Sequence, residues 1–402
     1  MIAGLACAPA AMAAPETYQA RSVIVKYADS ASSSQRLLVG KSAGVVETLG
    51  RVTGVGAQVV SVVGDPAAVA ARLNRSASVL YAEPDYIYRA TAIPNDPRFG
   101  ELYGLHNTGQ SGGFADADID APEGWDRAFG TNAFQTALDG VKIGFVDTGI
   151  QAGHPDLAGK VYNCGGVRSF GLLGLLFVDP TIVNGKCVDD NGHGTHVAGT
   201  AAAYANNATG VAGVAFNSPL AICKGLDSSG AGPISGIANC ISFLVASGAG
   251  IISMSLGGPP STTLRNAVTS ASANALIVAA AGNGANSTLI YPAAYPEVVS
   301  VAAVDRWDAR ASFSTFNGDV ELAAPGVDIT STWLNSGYNT ISGTSMATPH
   351  VAGVAAIVAA RVTGGPAAWR AKLDASVDDL PPTGFDPQTG NGRINLLKAT
   401  TP

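Results

Sequence analysis

"VKIGFVDTG", residues Val141–Gly149, stays apolar for most of its length and ends in a turn. A strand with one wet face alternates apolar and polar residues. A run that stays apolar fits a strand covered on both faces, as in parallel sheets. The chain then keeps changing period. "HVAGTAAAYA" (196–205) reads as helix, "LAICKGLD" (220–227) as strand, and "ISGIANCISFLVASG" (234–248) as helix. "GIISMSLGG" (250–258) follows as strand, "TLRNAVTSASANA" (263–275) as helix, and "LIVAAAGN" (276–283) and "VVSVAAVD" (298–305) as strands. A last helix begins near Ser345. Strands alternating with helices predict an α/β fold, a mainly parallel sheet between two helical layers (three-layer αβα). Such sheets place ligands at the carboxyl ends of their strands.

Residues 20–89 have a different character. "RSVIVKYA" and "AQVVSVVG" alternate like strands, "DPAAVAARLNRS" reads as a short helix, and "VLYAEPDYIYRA" as a closing strand. These make a small α+β unit. Pro94 and Pro97 break regular structure in the linker that follows. The expected division is 1–14 as a signal segment, 15–92 as the small domain and 93–402 as the large one.

Apolar residues make up 47% of the 402 and charged residues 13%, against roughly a quarter charged in typical soluble domains. A sizeable core can be buried. The net charge is −7 with no basic run, which argues against nucleic acid and anionic membranes as partners. No apolar stretch is long enough for a membrane span. The first residues, "MIAGLACAPAAMAAPE", resemble the end of a secretory signal, with an Ala-x-Ala site at Ala11–Ala13. A positive n-region is missing, so either translation starts further upstream or the signal is degenerate. Export, to the medium or the periplasm, is the expectation, and Cys7 would leave with the signal. A lipid anchor on Cys7 is disfavoured by Gly4.

Cys164, Cys187, Cys223 and Cys240 then remain. An even count in an exported protein suggests two disulfides, with three connectivities open. Nearest-neighbour pairing is expected; two free buried thiols at Cys223 and Cys240 are the alternative. Closing the Cys164–Cys187 loop would remove about 3 kcal/mol of denatured-state entropy.

Three polar positions lie at element ends. Asp147 ends the first buried strand, where a turn aspartate is also common. His193 sits in "DDNGHGTHVAGT", and of the five histidines (with His106, His154, His196 and His350) it alone opens a helix amid small residues. A His193–His196 zinc pair lacks the Glu and the spacing of His-Glu-x-x-His. Ser345 begins a long apolar helix. It is either a cap or a nucleophile whose oxyanion the unpaired helix N–H groups would stabilise. Nucleophilic hydrolysis needs a serine, a base and a carboxylate that orients the base.

"VDTGI" (146–150), "HGTHVAGT" (193–200) and "GTSMATPHVAG" (343–353) resemble the three signature blocks of the subtilisin-like serine proteases. The likeness covers roughly residues 94–398, and the 20–89 unit resembles that family's inhibitory propeptide. The resemblance implies that Asp147 orients, His193 acts as base, Ser345 attacks, and Asn283 in "AAAGNGA" donates to the oxyanion. His196 and His350 then pack helices. It also implies a peptide-binding edge at Ser255-Leu256-Gly257, a facing wall at Ala280-Ala281-Gly282, and Ile290 at the base of the S1 pocket. "YANNATGVAG" (204–213) is similar to the family's calcium loop. The implied ligands are the carboxylates of Asp96 and Asp156, the Asn207 side chain, and the carbonyls of Tyr204, Thr209 and Val211, six oxygens that suit Ca²⁺. No organic cofactor is expected.

The implied protein is a secreted, monomeric serine endopeptidase acting on polypeptides and inhibited by its own propeptide until it cuts itself between about Tyr88 and Asn95. Small or medium apolar P1 residues should be preferred. A catalytically silent binding module is disfavoured, because all four catalytic positions are filled. A lipase or esterase of α/β-hydrolase type would need Gly-x-Ser-x-Gly and the order Ser…Asp…His. The apolar insert "NCGGVRSFGLLGLLFVDPTIVNGKC" (163–187) departs from the family pattern, as cleft rim, partner site or structural cover.

Overall fold

The computed structural model describes residues 18–86, 93–110, 112–130, 134, 139–169 and 179–401. The expected signal segment, residues 87–92 of the expected cleavage region, and residues 170–178 of the insert lie outside the described residues. The chain divides into two compact units, Met1–Ala90 and Thr91–Pro402.

The first unit holds strands β1 (Tyr18–Tyr27), β2 (Val45–Val52), β3 (Ala57–Val62) and β4 (Val79–Tyr86), in the antiparallel order β2-β3-β1-β4. Helices α1 (Ser33–Ala43) and α2 (Pro66–Leu73) join them. Alternation buries Val23 and Val25 of β1 with Val60 and Val62 of β3, and Val69 and Leu73 of α2 pack with them. Asp65 caps α2 by accepting from the Ala68 N–H, and Pro66 opens the helix. There a missing N–H costs nothing.

In the second unit the strands are β5 (Ile143–Asp147), β6 (Val161–Ser169), β7 (Asp179–Asn184), β8 (Leu220–Lys224), β9 (Ile251–Met254), β10 (Leu276–Ala280), β11 (Val298–Val304) and β12 (Leu322–Pro325). A separate pair, β13 (Ile329–Thr332) and β14 (Tyr338–Ile341), precedes the short β15 (Val377–Asp378) and β16 (Arg393–Ile394). The helices are α3 (Ala121–Phe129), α4 (His193–Ala202), α5 (Ile234–Ala246), α6 (Thr262–Ala271), α7 (Thr344–Ala359), α8 (Pro366–Asp374) and the short α9 (Leu396–Thr400).

The main sheet runs β15-β16-β12-β11-β10-β9-β5-β8-β6-β7. Its neighbours are parallel except at the two edges, where β15 and β7 run antiparallel to theirs. Ile143 and Phe145 of β5 face the α4/α7 layer, with Val197, Ala201, Val351 and Val354. Val146 faces the α5/α6 layer, with Ile237, Ile241, Leu264 and Val268. This is the expected three-layer αβα arrangement. β5 lies between β8 and β9; the chain builds β6, β7 and β8 on one side of it and then crosses to build β9 to β12 on the other, so the winding reverses here. The crevice outside the carboxyl ends at such a switch is where these sheets bind ligands.

Both expected sulfur pairs are bonded, Cys164 to Cys187 and Cys223 to Cys240. The free-thiol alternative falls away. The flanks of the apolar insert form β6 and β7, a hairpin on the sheet edge, so its apolar residues are in part strand residues rather than loop. Among the described residues, no helix is long and apolar enough to cross a membrane.

Candidate active site

Asp147 is the last residue of β5 and is 1% exposed. His193 is the first residue of α4. The turn before it needs Gly192, whose φ of 106° lies in the left-handed region and whose missing Cβ makes room for the Trp333 indole. His193 Nδ1 lies 2.8 Å from Asp147 Oδ1, and the Thr148 N–H donates to the same oxygen at 2.7 Å. Burial alone would push the imidazole pKa down. The Asp147 charge and hydrogen bond, with Asp189 adding to them, hold it above its ordinary value.

Ser345 is the second residue of α7, and Gly343, not Ser345, occupies the cap position. The plain-cap reading of Ser345 therefore does not hold. Its hydroxyl donates to the Ser255 carbonyl at 3.4 Å, while the Ser255 hydroxyl donates to the Ser345 carbonyl at 2.8 Å. The strand end after β9 is thus tied to the start of α7. Asn283 Oδ1 accepts from both the N–H and the hydroxyl of Thr344, each at 2.9 Å. Those bonds occupy the amide oxygen and fix the side chain, so its Nδ2 donor is the group left to meet a ligand beside the Ser345 N–H.

The two walls continue β9 and β10, which are neighbours in the sheet. Ser255, Leu256 and Gly257 prolong one, and Ala280–Gly282 end the other. Ile290 lies between them. A Cβ on Gly257 would clash with Ile290 Cγ2, and one on Gly282 would meet Ile290 Cγ1 at 2.9 Å. Tyr291 closes this end, exchanging both backbone hydrogen bonds with Gly258 at 2.9 and 3.0 Å. The cleft beside His193 has a volume of about 560 Å³, with Leu226, Ser255, Leu256, Gly257 and Tyr291 in its lining.

His196 and His350 are buried. His196 Nε2 reaches the Ile329 and Asn339 carbonyls at 3.0 and 3.1 Å, and His350 Nδ1 the Met346 carbonyl at 2.9 Å. Burial pushes their pKa values down to about 3 and about 4. They are neutral packing residues.

Asp96 and Asp156, at 4% and 0% exposure, meet around one loop. Asp96 accepts from the N–H groups of Asn206 and Asn207 at 2.6 and 3.2 Å. Asp156 accepts from Asn207 Nδ2, the Val211 N–H and the Tyr338 hydroxyl at 3.0, 3.0 and 2.9 Å. The Tyr204 N–H donates to the Asp156 carbonyl. Burial raises the Asp96 pKa and the nearby Asp156 charge adds to it, against those two N–H bonds. Two buried like charges with amide and carbonyl oxygens at hand form a donor set whose chemistry fits a hard cation. Asn207 Oδ1 accepts instead from the Thr209 N–H at 2.8 Å, so binding a cation through that oxygen requires the amide to turn. Among the described residues no group of three or more His, Cys, Asp or Glu side chains is placed to hold a metal.

Sequence reading missed Asp189, Thr148 and Thr344, which hold these residues in place. The only local signal was Asp189, four residues before His193 in a polar run.

The family model of the subtilases, described as "Subtilase family", matches residues 139–392, and that of the fervidolysin N-terminal prodomain matches residues 7–85. The chain belongs to the subtilase family. It is a serine endopeptidase with an N-terminal prodomain. It is 41% identical over 342 residues to a thermophilic serine proteinase of Bacillus sp. (strain AK1), covering 84% of this chain and 77% of that one. It is also 41% identical over 310 residues to thermitase of Thermoactinomyces vulgaris, covering 76% and 98%. Among solved structures, sphericase matches with a TM-score of 0.58 and 34% identity, covering 68% of this chain and 97% of that one. A protease from Pseudoalteromonas arctica matches with a TM-score of 0.63 and 30% identity, covering 77% and 99%.

Proposed function

We propose that this chain is a secreted, self-processing endopeptidase that cleaves polypeptides through an acyl-enzyme on Ser345. The observation that carries the reading is the 2.8 Å contact of His193 Nδ1 with the buried Asp147 carboxylate, with Ser345 at the start of α7 tied to Ser255, which lines the same cleft as His193. Ser345 Oγ attacks the scissile carbonyl carbon and gives its proton to His193 Nε2. Asp147 keeps the ring's Nδ1–H pointed at itself and offsets the imidazolium charge. The carbonyl oxygen, now negative, is met by the Ser345 N–H and Asn283 Nδ2. Losing one such donor typically raises the barrier by about 3–4 kcal/mol. His193 returns the proton to the leaving amine, and water then releases the acyl group by the same steps reversed. The substrate adds as a strand along Ser255–Gly257, facing Ala280–Gly282.

Ile290 occupies volume between those walls, which favours small or medium apolar P1 residues. Pocket size alone discriminates by roughly 1–3 kcal/mol per methylene, so the range is broad. The prodomain acts as an intramolecular inhibitor, the enzyme works as a monomer, and two disulfides suit an exported protein. Asp96, Asp156, Asn207 and the carbonyls of Tyr204, Thr209 and Val211 would hold Ca²⁺. The ion's contribution is structural, joining the segment at Asp96 to the core.

The test is casein hydrolysis by the purified protein with and without a serine-directed covalent inhibitor, together with the fate of the Ser345→Ala precursor. Inhibition, and a precursor left uncut between about Tyr88 and Asn95, are expected. Normal maturation of the Ala variant in a protease-free preparation contradicts self-processing.

A further inference from the structure

We propose that Asp189 is a positioning residue for this reaction, its two carboxylate oxygens tying the turn that follows Asp147 to the first helical turn that bears His193. The inference rests on the Asp147–His193–Ser345 reading above. Asp189 is 6% exposed. Its Oδ1 accepts from the Thr148 hydroxyl at 2.8 Å and from the Asn191 and Gly192 N–H groups at 3.0 and 2.9 Å. Its Oδ2 accepts from the N–H and hydroxyl of Thr195 at 2.9 and 2.6 Å.

Thr148 is the pivot. Its hydroxyl accepts from the Gly194 N–H at 2.8 Å, and its own N–H holds the same Asp147 oxygen that His193 uses. The first turn of a helix leaves N–H donors without partners. Here His193 N–H goes to Asn191 Oδ1, Gly194 N–H to Thr148, and Thr195 N–H to Asp189. A helix cap alone needs one oxygen of a near neighbour. Asp189 also reaches 41 residues back to Thr148, which fixes the strand end and the helix start against each other.

Asp189 is itself anchored. Its N–H donates to the Ile150 carbonyl, and the Ile150 N–H to the Cys187 carbonyl at 2.8 Å, beside the Cys164–Cys187 bridge. Despite burial, the N–H and hydroxyl donors hold its carboxyl below the ordinary pKa, so the group is an anion in the working range. The charged or titratable groups around His193 are Asp147 on β5, Asp189, and His196 on its own helix. Lys224 lies beyond Thr148, bonded to the Thr148 carbonyl and to Asp190.

The experiment compares the mature wild type with Asp189→Asn and Thr148→Val, counting active sites with a fluorophosphonate so that kcat refers to folded enzyme. For Asp189→Asn, kcat should fall about tenfold or more with KM changed by less than about threefold, the signature of lost geometry rather than lost substrate binding. Removing a negative charge lowers the pKa of the imidazolium, so the acid limb of kcat/KM should also move to lower pH. Thr148→Val should lower kcat with the acid limb unmoved, because the charge stays. Wild-type kcat and pH profile in both variants, or a loss confined to KM, would overturn the inference. So would unfolded far-ultraviolet circular dichroism spectra from both variants, which assign Asp189 to folding alone. A wild type without titratable serine or peptidase activity would instead sink the reading of the site itself.

Discussion

His193 Nδ1 and Asp147 Oδ1 stand 2.8 Å apart although 46 residues separate them in the chain. One ends a strand and the other begins a helix, so the contact depends on the packing of β5 against α4. The imidazole must be neutral to accept the serine proton. Activity should therefore fall as pH drops through the His193 pKa, which the Asp147 charge holds above 6.5 against the effect of burial. Asp147→Asn should lower kcat by about 10⁴ and shift the acid limb to lower pH. A rate–pH profile of that variant resembling the wild type would show that Asp147 does not orient the base.

Ile290 sets the next expectation. Its two γ-carbons lie against Gly257 and Gly282, so Ile290→Gly should open the space between the walls. Peptides differing only at P1 should then move in favour of Phe and Tyr, with Lys and Arg poor in both enzymes. A wild type that already prefers Phe, and a ranking unmoved by the change, would place Ile290 outside S1.

Calcium should act on stability more than on turnover. A ligand bound only by the native state stabilises it by RT ln(1 + [L]/Kd), about 4 kcal/mol at a thousandfold excess over Kd. Excess chelator should lower Tm and speed autolysis. Asp96→Asn should reduce the Tm difference between the two conditions. Identical melting curves with and without chelator would remove the assignment.

Acid should destabilise the large unit through its buried histidines. His196 and His350 have folded pKa values near 3 and near 4, below the ordinary 6.5. Below pH 6.5 the unfolded chain takes up protons that the folded one refuses. The stability these residues contribute is thus whole above 6.5 and is lost as pH falls towards 4 and 3. For His350 the loss is on the order of 3 kcal/mol. His350→Gln should flatten the fall of Tm between pH 6.5 and 4, measured in the inhibited enzyme to prevent autolysis. An unchanged slope would mean that His350 is not buried neutral.

Much of the architecture was legible because burial on both faces leaves a strong local mark. β5, β8, β9, β10 and β11 are fully buried runs, and each was readable as a mainly apolar segment. Alternation exposed β1 and β3 in the same way. α1 and β2 escaped because neither carries a stripe: α1 leaves Leu37 and Leu38 in solvent, and β2 buries none of its residues. The β6–β7 hairpin escaped because its apolar residues resembled a loop insertion.

At the site, Asp147, Ser255–Gly257 and Ala280–Asn283 lie at or just past the carboxyl ends of β5, β9 and β10, and His193 and Ser345 at helix starts. What supports them was hidden. Thr148–Asp189 and Asn283–Thr344 are contacts between residues 41 and 61 apart, and a hydrogen bond across that distance leaves no periodic trace in sequence.

The central claim is that Ser345 is the nucleophile. It is tested most directly by treating the mature enzyme with a fluorophosphonate and mapping the adduct by mass spectrometry while casein hydrolysis is followed. The account predicts one adduct, on Ser345, formed in step with loss of activity and absent from His193→Ala. Full inactivation with Ser345 unmodified, or casein hydrolysis at the wild-type rate by Ser345→Ala, would contradict it.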